Sequence, residues 1–164
     1  MATPFVISKG DLGLSLTNPG KAAALAELSD YTDFSCVVTS AKITATTNSN
    51  TTNVPATFCA TASEETIPAS STYTLEGTVL QDPDAVAGLQ AFIWANSSSE
   101  TGDPIYFYLG LTDGGKPKCV GQVLVSELDF GVPAGEVLTA DFSWPCTGGR
   151  PDIEFGTTVV FDAD

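Results

Sequence analysis

The clearest alternation of apolar and polar positions lies at residues 73–79. Tyr73, Leu75 and Val79 share one side of this stretch, while Thr74, Glu76 and Thr78 share the other. A period of two with β-branched and aromatic members is typical of a half-buried β-strand. The pattern therefore predicts a strand with one face against a core.

A helix is predicted directly after this strand. Asp82-Pro83-Asp84 offers a capping side chain, a proline suited to the first helical position and a carboxylate near the positive end of the helix dipole. The polar run at 96–99 favours a helix end. Apolar residues recur at helical spacing between these limits and predict the packing face: Val86, Leu89, Phe92 and Ile93.

The remaining apolar patterns have the period of β-strands. Alternation predicts strands at Leu12–Leu16, Cys36–Thr46, Ile105–Leu111, Lys118–Phe130, Val137–Trp144 and Glu154–Phe161. Seven or so strands and one helix predict a mainly β fold, a sandwich or barrel with one lateral α-helix. The 164 residues are expected to form a single domain, with 1–34 as an N-terminal arm and linker.

Two long hairpins are predicted, at Cys36–Phe58 and Ile105–Phe130. Asp113-Gly114-Gly115 is a strong turn signal in the second, because glycine adopts positive φ without strain. The first is predicted to turn in a wholly polar loop, and Thr61–Ser71 and Thr147–Pro151 are predicted to be connections. The loop comprises Asn48, Ser49, Asn50, Thr51, Thr52 and Asn53, preceded by Thr47.

Charge and composition change the picture in two ways. Twenty acidic residues face six basic ones, which gives a net charge of −14. Tight nucleic-acid binding needs Lys and Arg to displace counterions, so this balance argues against it. Only 16% of residues are charged, and much uncharged Ser, Thr, Ala and Gly surface suggests that neighbouring copies cover part of it.

Candidate catalytic and metal chemistry is sparse. The chain has no histidine, which excludes Ser-His-Asp and Cys-His nucleophile systems, and it has no Walker, GxGxxG or GxSxG pattern. Cys36, Cys59, Cys119 and Cys146 are widely spaced and are interpreted as reduced thiols rather than as a metal site. No cofactor, no membrane segment and no enzymatic activity are expected, and the acid pairs Glu64–Glu65 and Glu127–Asp129 are interpreted as solvated or lumen-facing charge.

Four stretches together resemble a known family. They are VPATFCA at 54–60, LEGTVLQD at 75–82, GLQAFIW at 88–94 and GEVLTADFSWPCTGGRPDI at 135–153. In this order and spacing they are similar to the major tail tube proteins of long-tailed (siphovirus-type) bacteriophages, particularly those of actinobacterial hosts. The similarity covers roughly residues 35–153.

The resemblance implies a structural virion protein. Such proteins form six-membered rings that stack into a hollow tail tube, through which double-stranded DNA passes without specific binding. Each subunit gives two long hairpins to an inner barrel, and its helix lies outside. The resemblance also implies tape measure, tail terminator and baseplate proteins as partners, assembly in the host cytoplasm, and contact of the polar loop with the adjacent ring. Glu76, Glu127 and Asp129 are the expected lumen-facing acids, the alternative being that they face solvent outside the tube.

Two other classes remain open from the sequence. A carbohydrate- or cell-surface-binding β-sandwich would use exposed aromatics, for which the candidates are Trp94, Tyr106, Tyr108 and Trp144. A related tail component, such as a terminator or another tube-like ring, would share the fold. Growth into long tubes would distinguish the major tail protein from both.

Overall fold

The computed structural model describes residues 10–19, 27–58, 63–81, 88–110, 117–126, 135–155 and 158–160. Strands dominate these ranges. In chain order the elements are β1 (Asp11–Ser15), a 3-10 helix (Leu28–Asp30), β2 (Thr32–Asp33), β3 (Val38–Val54), β4 (Ser63–Leu80), α1 (Leu89–Asn96), α2 (Ser98–Thr101), β5 (Ile105–Gly110), β6 (Lys118–Val123), β7 (Thr139–Phe155) and β8 (Thr158–Val160).

The strands form one antiparallel path in the order β2-β1-β5-β6-β7-β4-β3, and β8 also pairs with β7. β7 connects the two halves of this path. Its first half pairs with β4, up to Thr74 opposite Pro145, and the rest pairs with β6 from Cys146 onward. Buried side chains from both halves belong to one hydrophobic core. The mainly β fold predicted from the sequence is therefore confirmed.

The predicted connection Thr147–Pro151 is wrong, because β7 continues through it. Thr147 pairs with Gln122 and Asp152 pairs with Val120, so four residues of β7 bulge opposite a single residue of β6. Gly148 and Gly149 lie in this bulge with φ of 71° and 94°. Glycine tolerates this conformation at little cost. The bulge separates two segments of β7 that both pair with β6, one at Cys146–Thr147 and one from Asp152 onward, and it lets the strand bend between them.

The predicted core faces of three segments are confirmed. Leu12 and Leu14 in β1, Leu75 and Val79 in β4, and Ala140, Phe142 and Trp144 in β7 are buried. The rings of Phe142 and Trp144 stack with centroids 4.3 Å apart. Alternation was a sound guide on β7, where residues 139–144 are exposed and buried in turn, whereas β1 is buried on both faces from Asp11 to Leu14.

Helix α1 also lies as predicted against this core. Leu89 and Ile93 are buried, and Phe92 packs beside them with its ring 5.3 Å from that of Phe34. Val86 and the predicted cap at 82–84 lie outside the described residues. The one predicted helix is therefore present, and a four-residue helical turn, α2, follows it directly after Ser97. Ser97 allows this break because it ends α1 with extended ψ, and its carbonyl then accepts the N–H of Thr101.

The predicted hairpin Cys36–Phe58 and its polar loop are wrong. β3 continues through residues 48–53 to Val54 and pairs with Ser63–Leu80, so most of the predicted connection Thr61–Ser71 is strand as well. The difference has a physical reason. A polar run predicts a turn, but Thr favours extended backbone, and Ser and Asn can form hydrogen-bonded cross-strand pairs where both faces of a two-stranded ribbon meet water.

The end of the second predicted hairpin also differs. β6 ends at Val123, and Val123 and Val125 are buried whereas Leu124 is 39% exposed. The Leu124 N–H donates to the Pro145 carbonyl, 3.0 Å away, which turns this segment toward β7. Both the Asp113–Gly115 turn and the acids Glu127 and Asp129 lie outside the described residues.

Gly77 is required in the middle of β4, where this strand lies between β3 and β7. It pairs with Ala41 on one side and Phe142 on the other. A Cβ at this position would overlap the Ser40 carbonyl oxygen and approach the Phe142 ring to 2.7 Å. The first of these neighbours is backbone, which cannot rotate away.

We expect Gly77→Ala to lower the free energy of unfolding by about 1–3 kcal/mol, the usual cost of overpacking a core. Chemical denaturation of the two proteins measures it. Gly102→Ala is the comparison, because nothing lies within 4 Å of a Cβ there and only its φ of 74° opposes the change. A smaller loss at residue 77 than at residue 102 would contradict the packing argument.

Candidate assembly surfaces

The hairpin of β3 and β4 extends beyond the rest of the sheet. β4 pairs with β7 only from Thr74 onward, yet it continues to pair with β3 from Tyr73 opposite Ala45 to Ser63 opposite Val54. Ten residues of β3 at a rise of about 3.3 Å each give a projection of about 30 Å. We call residues 45–54 and 63–73 the ribbon.

The described side chains of the ribbon are mostly polar. Its described side chains are exposed apart from Tyr73 at the base, and the stretch from Ile43 to Ser63 contains no charged residue. Polar pairs connect its strands: Thr47 and Ser71 hydroxyls 3.3 Å apart, Asn48 Nδ2 donating to Ser70 Oγ at 3.3 Å, and Thr51 and Thr66 hydroxyls 3.5 Å apart. A two-stranded ribbon is marginally stable by itself, so these contacts are suited to a structure that another chain completes.

Both edges of the ribbon are open among the residues that the structure describes. β3 pairs only with β4 along its 17 residues, and residues 63–73 of β4 pair only with β3. Open strand edges carry unpaired N–H and C=O groups that can pair with another chain. Natural proteins protect such edges with charges or prolines, but Lys42 is the single charged residue in β3 and the strand has no proline.

We call the side of β3, β4 and β7 that lies away from the core the outward face, and it carries a short polar network. Glu76, the one predicted lumen acid among the described residues, lies 3.4 Å from Lys42 Nζ and accepts a hydrogen bond from Thr44 Oγ1 at 3.1 Å. Thr78 Oγ1 donates to Asp141 at 2.6 Å. Glu76 is therefore paired, and its partner Lys42 places a cation on the same face.

A buried ion pair lies at the other end of the path. Lys118, in β6, is 3% exposed and its Nζ lies 2.8 Å from Glu27 and 3.4 Å from Glu154. Burial opposes the charge, but the hydrogen bond from Lys118 to Glu27 and the charges of both carboxylates raise the pKa of Lys118 above its ordinary value. Asp11 and Asp152 are buried as well. No local pattern predicts this cluster, since β6 (KCVGQV) has one lysine in an otherwise uncharged strand.

The segment around the 3-10 helix covers this ion pair. Tyr31 and Leu28 pack on Tyr108 and Val120, and the rings of Tyr31 and Tyr108 lie 5.7 Å apart. Burial, with the nearby charge of Asp30, raises the pKa of Tyr31 to about 12. This part of the predicted N-terminal arm, residues 27–34, is thus packed on the sheet.

The four aromatics proposed for sugar stacking do not form one surface. Tyr108 and Trp144 are buried, Tyr106 is half-buried, and Trp94 is 49% exposed on α1. Tyr106 lines a groove of about 110 Å³ with Tyr31, Gln122 and Arg150. A wider cleft of about 510 Å³ opens where β7 leaves β4, between Ser71–Thr74 and Pro145–Arg150. Burial removes two of the four candidates from any role in stacking on a sugar.

The described cysteines are free thiols. Cys36 is exposed, Cys146 is half-buried and Cys119 is buried, while Cys59 lies outside the described residues. Burial raises the pKa of Cys119 to about 12 and that of Cys146 to about 11. Thiols with such pKa values are poor nucleophiles and metal ligands at neutral pH. In the described part of the chain, no group of three Cys, Asp or Glu side chains could hold a metal ion.

No helix within the described ranges is both long and apolar enough to span a membrane.

Two solved structures resemble this fold. One is a chain from the tail of an empty gene transfer agent particle, obtained by helical refinement with C6 symmetry. It has a TM-score of 0.55 and 11% identity, and the match covers 89% of this chain and 96% of that one. The other is from the virion of a native gene transfer agent particle, with a TM-score of 0.53, 10% identity and coverage of 90% and 96%.

No family model and no curated protein matches the chain by sequence. At 10–11% identity the structural similarity concerns the fold, over nearly the full length of both chains. The chain thus shares its overall fold with a chain found in the tail of a gene transfer agent particle.

Proposed function

We propose that this chain is a structural tail tube protein, which polymerises as stacked hexameric rings and encloses a channel for phage DNA. The ribbon carries the proposal. It projects about 30 Å from the sheet, has two open edges and lacks a described apolar face of its own. The fold that it shares with a chain from a C6-symmetric tail supports the same role.

Each subunit has two different open edges, one on β3 and one on residues 63–73 of β4. The edge of β3 in one subunit can pair with the edge of residues 63–73 in the next subunit, and the same contact then repeats around the ring. This heterologous pairing buries the backbone groups that a lone subunit exposes. Six copies close the ring in our proposal, as in the symmetry of the similar tail.

The outward face of β3, β4 and β7 would then line the channel. The charged members of its polar network are Lys42, Glu76 and Asp141, one base and two acids. Glu127 and Asp129 remain proposed additional lumen acids. Because Glu76 neutralises Lys42, phosphates would pass this wall without a free cation to hold them.

The proposed partners are further copies of this chain, with tape measure, terminator and baseplate proteins at the ends of the tail. Its proposed location is the virion tail, assembled in the cytoplasm of the host. A siphovirus of an actinobacterial host is the proposed source. The proposed role is structural and involves no catalysis.

Electron microscopy of the purified protein across a concentration series tests the proposal. Hollow tubes of stacked rings, with sixfold symmetry in end views, are expected above a critical concentration. Particles that stay monomeric at every concentration, also after addition of tail extracts from the phage, would contradict it. Isolated rings that never stack would favour a terminator or another ring component.

A further inference from the structure

Three polar side chains lie side by side on the face of β5, β6 and β7 that points away from the core. Tyr106 pairs with Gln122, and Gln122 pairs with Thr147. Residues directly opposite each other in antiparallel strands project to the same face, and the residues on either side of Tyr106 belong to the core. These three side chains line the groove of about 110 Å³ together with Tyr31 and Arg150.

Thr147 carries a buried hydroxyl that the described part of the chain leaves unsatisfied. Its Oγ1 is buried and has no hydrogen-bond partner among the described residues. Such a group destabilises a fold, and native proteins rarely retain one without a partner. The amide of Gln122 lies beside it over the bulge, since a Cβ on Gly148 would overlap Gln122 Nε2. The bulge therefore brings together a hydroxyl and an amide that can both donate hydrogen bonds.

Arg150 gives the groove its accessible charge. It is the single arginine of the sequence and is exposed, whereas Asp152, the acid in the lining, is 1% exposed. A guanidinium binds a carboxylate through two parallel hydrogen bonds. Burial, with the charge of Asp30, raises the pKa of Tyr31 to about 12, so its hydroxyl also remains a donor at neutral pH. Donors and one accessible positive charge suit a carboxylate.

The same bulge borders the wider cleft at the base of the ribbon. Thr147 and Arg150 line both the groove and this cleft, and Ser71–Thr74 of β4 line the cleft as well. The open edge of residues 63–73, with which the adjacent subunit pairs in our proposal, ends at this cleft. A subunit that extends this edge comes next to the bulge, and it carries twenty acidic and six basic residues.

We propose that Thr147, Gln122 and Arg150 bind an Asp or Glu side chain of the adjacent subunit in the ring. The carboxylate accepts hydrogen bonds from the Thr147 hydroxyl and from Gln122 Nε2, and it pairs with the guanidinium. This contact gives the Thr147 hydroxyl a partner and offsets the repulsion between acidic copies. The inference rests on the proposed tail tube function and adds a side-chain contact to the strand pairing.

Thr147→Val separates this contact from the stability of the subunit. It removes the hydroxyl and keeps the shape, so the thermal stability of the dissociated full-length subunit should equal or exceed that of the wild type. The concentration for half-maximal ring formation, measured by sedimentation velocity, should rise at least about tenfold. Thr139→Val makes the same exchange at an exposed position of β7 and should change neither quantity. Loss of subunit stability in Thr147→Val would overturn the inference.

Arg150→Met should weaken ring formation at least as much and reduce its dependence on salt, because the charged part of the contact is lost. Sedimentation velocity over a series of salt concentrations measures both effects. Rings that form at the same concentration in the wild type, Thr147→Val and Arg150→Met would overturn the inference while leaving the proposed function in place.

A carbodiimide crosslink in Arg150→Lys identifies the partner directly. The reagent joins an amine to a carboxylate in contact with it, and mixing isotope-labelled with unlabelled copies shows whether a link joins two subunits. Mass spectrometry is expected to find position 150 joined to an Asp or Glu of another copy. Links within one copy alone, or to a different virion protein alone, would overturn the inference. Wild-type protein that forms no rings would instead refute the proposed function itself.

Discussion

Joining Thr47 to Ser71 through an Asn-Gly turn is expected to abolish tube formation and leave a folded monomer. These two residues face each other in the ribbon, so a two-residue turn closes the shortened hairpin in register. The deletion removes most of both open edges. It removes none of the buried hydrophobic residues of the core. Circular dichroism and thermal unfolding should therefore match the wild type, while electron microscopy shows no rings.

The control for this deletion keeps the ribbon. Thr51→Ser with Thr66→Ser preserves the facing hydroxyls, 3.5 Å apart in the wild type, and the length of both strands. This variant should form tubes. Tubes of normal diameter from the truncated protein would show that the ribbon is not the assembly element. An unfolded truncated protein would show that the ribbon stabilises the subunit, contrary to its lack of described core contacts.

Lys118→Met is expected to lower the free energy of unfolding by about 3–5 kcal/mol, the range for removing one member of a buried ion pair. The reason is the environment of its partner. Glu154 is 8% exposed beside Lys118 and would stay buried without the neighbouring ammonium. Urea denaturation at neutral pH measures the loss. The exposed pair at Lys42 gives the matched control.

Lys42→Met should lower the free energy of unfolding by less than about 1 kcal/mol, because Lys42 is 71% exposed and water screens its contact with Glu76.

The pH dependence of the Lys118 contribution to stability also follows from its environment. The pKa of Lys118 is raised in the folded state, so its contribution is complete below the ordinary pKa and disappears as pH rises through the folded value. The two lysine variants would differ least at strongly alkaline pH. Equal losses at both positions near neutrality would contradict the burial argument.

The sequence predicted those parts of the fold in which one face is buried. Leu75 and Val79, Phe142 and Trp144, and the α1 residues Leu89 and Ile93 all lie in the core as their spacing indicated. Periodicity is informative in such segments because burial selects apolar residues at every second or every third to fourth position.

The ribbon could not be predicted in the same way. Both faces of residues 46–53 are polar and exposed, so no periodic signal separates a strand from a turn. Its pairing with Ser63–Tyr73 depends on cross-strand partners that lie 9–28 residues away, from Val54 opposite Ser63 to Ala45 opposite Tyr73. The Thr-rich composition was the one available indication of extended structure.

The bulge in β7 and the Lys118 ion pair are also tertiary features. Paired glycines such as Gly148-Gly149 usually mark turns and therefore predict a loop. Only the register with β6, which passes from Gln122 opposite Thr147 to Val120 opposite Asp152, shows that the strand continues through them. Lys118 meets Glu27 across 91 residues and Glu154 across another strand, and nothing in the local sequence brings these three together.

Helical reconstruction of the assembled protein by electron cryomicroscopy, at a resolution that traces strands, tests the central claim most directly. We predict rings of six subunits in which the free edge of β3 is hydrogen-bonded to residues 63–73 of the adjacent subunit, with the outward face of Glu76 toward the channel. Ribbons that project into solvent while subunits associate through α1 or the β2 edge would contradict the account.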